Sequence, residues 1–113
     1  MMELYEIKDL LETLKERLSH IEDLLDLKTL DETIKTLEAK TYEQGFWDQH
    51  EAAQQVIEAL KKAKNKRTNY DGLVDAVENI ELFYELIEIG ESVDKLDETI
   101  QQTLKHFDQF ETS

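Results

Sequence analysis

The chain has no cysteine and no proline, and only 3 glycines and 1 tryptophan stand among its 113 residues. Without cysteine there can be no disulfide, no thiolate nucleophile and no zinc site built on sulfur. Without proline, and with so little glycine, there are few places for turns. The abundant Leu, Glu, Lys, Asp and Thr therefore favour long amphipathic helices over a sheet. Long hydrophobic runs are missing too, and none approaches the roughly 20 residues of a membrane span. The opening "MMELYEIKD" has neither the basic start nor the apolar stretch of a secretory signal. A single cytoplasmic domain over residues 1–113 is expected, with no membrane and no small-molecule substrate.

Bases are scarce: 13 Lys and Arg face 27 Asp and Glu, for a net charge of −14. Phosphate binding needs clustered bases that displace counterions, so this segment is not expected to grip nucleic acid unaided. The charge is unevenly spread. From Asp71 onward only Lys95 and Lys105 oppose the acids, whereas "LKKAKNKRTNY" carries Lys61, Lys62, Lys64, Lys66 and Arg67 together. At about 100° per residue these bases point all round a helix, forming a solvated collar or a contact with an anionic partner.

What is present is helical periodicity. Leu4, Ile7, Leu11, Leu14, Leu18, Ile21 and Leu25 alternate in threes and fours, a heptad seam widened by Leu10 and Leu24. "LKTLDETIKTLEAK" follows, with Thr29 and Glu32 spaced as a capping box, and is expected to fold back on the first helix. Gly45 supplies a turn, and Asp48 with Glu51 predicts a helix starting at Gln49. Its stripe runs Ala53, Val56, Leu60, Ala63, Arg67, Tyr70, Val74 and Val77, then changes phase through Ile80, Tyr84 and Ile87. Gly72 lies inside this helix as a weak point, and Gly90 marks its end. Ser92 is expected to cap a last helix burying Val93, Leu96, Ile100, Leu104 and Phe107. The sum is an all-α, antiparallel up-and-down bundle of about four helices, or coiled-coil hairpins, with one helix much longer than the rest. The stop at "DQFETS", with Phe110 still on pattern, is what a fragment would show.

The residues offer little chemistry. His50-Glu51 begins like a zincin motif, but Gln54 stands where the second imidazole is needed. Arg17, Trp47 and Thr103 precede the three histidines by three, so the Glu-x-x-His of a di-metal carboxylate bundle is absent too. Ser19 and His20 are adjacent and diverge on a helix, and three isolated glycines build no phosphate loop. No catalytic residue, metal ligand or cofactor is expected, and the chain is not read as an enzyme.

Two features remain. Asp71, Asp75, Glu78, Glu81, Glu85 and Glu88 form a negative stripe, either a solubilising face or a docking face for a basic protein. Phe46-Trp47 at the start of the long helix is expected to close the end of a core as a hydrophobic staple does, with a partner contact as the alternative.

Taken with their neighbours, these residues carry a resemblance. "MELYEIKDLLETL", "LLDLKTLDETIKTLEAKT" and "GFWDQHEAAQQVIEALKKAKN" are similar to parts of the N-terminal helical domain of bacterial class I peptide chain release factors, type 2 in particular. Phe46, Trp47, Asp48, Ala53 and Gln54 carry the family pattern, which usually has a proline where this chain has Gln44-Gly45. The resemblance implies a ribosome-docking domain that reaches toward the GTPase-associated centre near the stalk base, monomeric rather than oligomeric. In the family, other domains read UAA and UGA and trigger peptidyl-tRNA hydrolysis. Their Ser-Pro-Phe and Gly-Gly-Gln motifs are absent here. The alternative left open is a free-standing acidic coiled-coil interaction module.

Overall fold

A computed structural model describes residues 2–113. Four α-helices follow one another: α1 Leu4–Leu25, α2 Leu27–Thr41, α3 His50–Glu88 and α4 Leu96–Thr112, with a single 3-10 turn at Phe46–Asp48 ahead of α3. The 39 residues of α3 span about 58 Å at 1.5 Å per residue, nearly the whole 61 Å long axis of the molecule. The radius of gyration is 18.9 Å, against about 13 Å for a compact chain of this length. The protein is a rod.

Helices α1 and α2 lie end to end and run back along α3 in one antiparallel line. Cross-helix ion pairs trace it: Glu38 of α2 meets Lys64 at 2.9 Å, Asp31 meets Arg67 at 3.2 Å, and Lys15 of α1 meets Glu81. Helix α4 turns back over the second half of α3 beside α1, where Arg17 reaches Asp108 at 3.1 Å and Glu111 at 3.2 Å. The result has two parts. The body is a three-helix bundle of α1, α4 and the second half of α3. The arm is a two-helix hairpin of α2 and the first half of α3.

The core sits in the body. Ile7, Leu11, Leu14 and Ile21 of α1 pack with Tyr70, Leu73, Val77 and Ile80 of α3 and with Leu96, Ile100 and Phe107 of α4. The expected change of phase along α3 has a physical cause here. In the arm α3 faces one partner, and its buried positions are the small Ala53 and Ala63. From Tyr70 onward it faces two partners, so the buried stripe widens to take in Leu73, a position the sequence periodicity passes over. Helix α2, with one partner, has no fully buried residue.

Several local expectations are corrected. Helix α2 packs along α3 instead of folding back on α1. The joint is the single residue Asp26, left-handed at φ 50°, which ends α1 and begins α2. Its carboxylate accepts from the Thr29 hydroxyl at 2.9 Å and from the Thr29 backbone N–H. Thr29 is thus the partner of the cap and not the cap. Aspartate tolerates this backbone region because its short polar side chain bonds locally. At α3 the cap is Gln49, without a side-chain bond, and Asp48 belongs to the 3-10 turn. At α4 the cap is Lys95, left-handed at φ 61°, three residues beyond Ser92.

Two glycines do what was expected of them. Gly90, at φ 89°, closes α3 in a Schellman arrangement, its N–H bonding Ile87 and that of Glu91 bonding Leu86. Gly45, at φ 81°, makes the arm's turn. At Gly72, in contrast, α3 runs on unbroken, and an added Cβ would meet nothing within 4 Å.

Candidate docking surfaces

The arm's tip carries two well-exposed aromatic residues. Tyr42 is 88% exposed and Trp47 64%, while Phe46 is half-buried. The Phe46 and Trp47 rings meet edge to face, with centroids 4.9 Å apart. Helix α2 ends at Thr41, Gly45 reverses the chain, and the 3-10 turn sets the two rings beside each other before α3 begins. Main-chain bonds from Phe46 to Glu43 and from Asp48 to Gly45, both 3.1 Å, close the turn.

The expectation of a buried indole is therefore corrected. A two-helix tip has no third element to cover a large ring, and neither Phe46 nor Trp47 belongs to the core cluster. Of the other residues carrying the family pattern, Ala53 is buried on the seam facing α2, and Asp48 and Gln54 are exposed. Helical periodicity does not single out Tyr42. Its signal was available, as an aromatic residue just beyond the last turn of α2.

The basic collar is partly consumed within the fold. Lys64 and Arg67 are held by Glu38 and Asp31 across the arm. The Arg67 guanidinium also lies 5.8 Å from the centre of the Tyr70 ring. Its buried Nη1 is 3.7 Å from Asp71, too far for a hydrogen bond. Lys61, Lys62 and Lys66 stay exposed. Burial raises the Tyr70 phenol above its ordinary value, and the charge of Glu22 raises it further.

The acidic stripe is also divided. Asp71 faces Arg67, and Glu81 is drawn to Lys15. Asp75, Glu78, Glu85 and Glu88 are exposed and form no ion pair among the described residues. His50 and Glu51 sit in the exposed first turn of α3. Among the described residues no group of three or more His, Cys, Asp or Glu side chains is arranged to hold a metal ion. Among the described residues no helix is long and apolar enough to cross a membrane.

With this geometry in place, the chain can be compared with known proteins. It is similar to peptide chain release factor 2 of Lactiplantibacillus plantarum, 37% identical over 86 residues that make up 76% of this chain and 23% of that protein. Against peptide chain release factor 2 of an Exiguobacterium species the identity is 34% over 97% of this chain and 31% of that protein. Against that of Staphylococcus epidermidis it is 31% over 97% and 30%. The chain thus spans less than a third of the length of these curated relatives. No protein-family model matches it, and no solved structure does.

Proposed function

We propose that this chain acts in translation termination, as the non-catalytic ribosome-docking domain of a type 2 peptide chain release factor. The observation that carries the reading is its similarity, along almost its whole length, to part of proteins bearing that name. On this reading the chain is the N-terminal helical domain of such a factor. It works in the cytoplasm and supplies placement, not chemistry: reading UAA or UGA and triggering peptidyl-tRNA hydrolysis belong to domains outside these residues.

The geometry supports this role. A helix running the length of a 61 Å rod transmits position stiffly from one end to the other, because its backbone hydrogen bonds are all internal. The tip offers Tyr42 and Trp47 to a partner, on an arm whose bases are nearly balanced by its acids. The body holds the whole of the net negative charge and is repelled by RNA. The arm is accordingly the end that approaches the ribosome, at the stalk base beside the GTPase-associated centre.

Co-sedimentation with 70S ribosomes, in competition with full-length release factor 2, tests the proposal. Binding that the full-length factor displaces is expected, weakened by Trp47→Ala. Failure to bind at low salt, or binding that the factor does not displace, would overturn it.

The alternative, a free-standing acidic coiled coil that oligomerises, needs its heptad seam available between chains. The seam residues Ile7, Leu11, Leu14 and Ile21 are instead buried within one chain, which supports a monomer. Sedimentation equilibrium distinguishes the two, since the alternative requires a mass that rises with concentration.

A further inference from the structure

The outward face of α3 in the body is not a plain acidic surface. Glu78, Leu82, Glu85 and Ile89 follow at steps of four, three and four. They fall within about 60° of one another at ~100° per residue, on the side of α3 away from Leu73, Val77 and Ile80. Leu82 is 50% exposed and Ile89 74%. Large aliphatic side chains one heptad apart on a solvent face are not required by a bundle that already has its core, and they add nothing to solubility. Asp75 extends the same face by one turn. The fold leaves half of Leu82 and most of Ile89 exposed, and no Lys or Arg pairs with Asp75, Glu78 or Glu85 among the described residues.

We infer that this face docks a basic amphipathic helix of a partner protein, whose apolar residues cover Leu82 and Ile89 while its lysines or arginines meet Asp75, Glu78 and Glu85. Charge complementarity decides the occupant. A second copy of this chain would set acid against acid on a protein of net charge −14. Nucleic acid would be repelled, and an uncharged apolar helix would leave the carboxylates unanswered. The apolar pair gives the contact a buried centre, and the carboxylates give it orientation and a fast encounter. The inference rests on this surface alone and stands apart from the ribosome proposal.

The test uses the whole chain and a fluorescein-labelled Leu/Lys peptide about 18 residues long, with its leucines on one helical stripe. A scrambled peptide of the same composition lacks the stripe. Fluorescence anisotropy should show the striped peptide binding tighter than the scrambled one by about tenfold or more. Leu82→Gln with Ile89→Gln should remove that preference, and Glu78→Lys with Glu85→Lys should abolish binding. Glu12→Gln with Glu16→Gln on α1 should change neither. Circular dichroism confirms that each variant folds, which the exposure of every altered side chain favours. Equal binding of the two peptides, or a preference that survives the Leu82/Ile89 change, would overturn the inference. So would a concentration-dependent mass of the unmodified chain that this change abolishes, because the face would then be covered by a second copy.

Discussion

Replacing Trp47 by alanine separates the two roles an aromatic residue can play at a helix start. With 64% of the residue exposed, roughly a third of its surface is buried. A fully buried aromatic hides about 150–250 Å², so Trp47 hides roughly 50–90 Å². At about 25 cal/mol per Å² the loss is roughly 1–2 kcal/mol, including part of the edge contact with Phe46. Phe107 is the contrast. It is 0% exposed, packed between α1 and α3, with the Arg17 guanidinium 4.9 Å from its ring centre. Phe107→Ala should cost about 3–5 kcal/mol. Urea unfolding followed by circular dichroism measures both. Acrylamide quenching of the single tryptophan reports directly on its exposure, and it should be efficient in the native state. An indole shielded from acrylamide, or a Trp47→Ala loss as large as that of Phe107→Ala, would refute the reasoning and return Trp47 to the core. If Trp47→Ala keeps most of its stability and loses ribosome binding, the ring belongs to an interface.

Other outcomes follow from particular residues. Gly72→Ala should raise stability by about 0.5–1 kcal/mol, read as a higher urea midpoint, because the helix is continuous there and the added methyl meets nothing. Asp26→Ala should lower it by about 1–2 kcal/mol, since it removes the bond to Thr29 while leaving a left-handed residue at the α1–α2 joint. Tyr70 gives a dependence on alkaline pH. Its phenol is raised in the folded chain above the ordinary 10.0, so the native state holds the proton longer than the unfolded state. Stability from this group is fully present below about pH 10 and falls as pH rises beyond it. Tyr70→Phe should flatten that fall in urea midpoints measured between about pH 9 and pH 11.

The helical class, the length of α3 and its end at Gly90 were all legible in one dimension. Periodicity and a left-handed glycine are local properties. The seam of α1 was legible for the same reason, with Ile7, Leu11, Leu14 and Ile21 all buried. The caps were harder to place. Thr29, Asp48 and Ser92 each stand in a stretch where two polar residues could have capped a helix, and Asp26, Gln49 and Lys95 prevailed. At Asp26 the local bond to Thr29 accommodates φ 50°, whereas at Lys95 the chain adopts φ 61°, which the propensity of lysine does not favour.

By itself, then, the order of residues determined that this protein is a set of amphipathic helices with one long member and a strongly acidic balance. Only the tertiary structure decided how many partners each helix has. Because α2 continues from α1 and α4 covers only half of α3, one end became a three-helix core and the other a bare hairpin. Burial of a residue depends on the neighbours that surround it and not on its own hydrophobicity. Phe107 on α4 therefore went inside, while Trp47 at the tip, and Leu82 and Ile89 on the outer face of α3, were left half or more exposed.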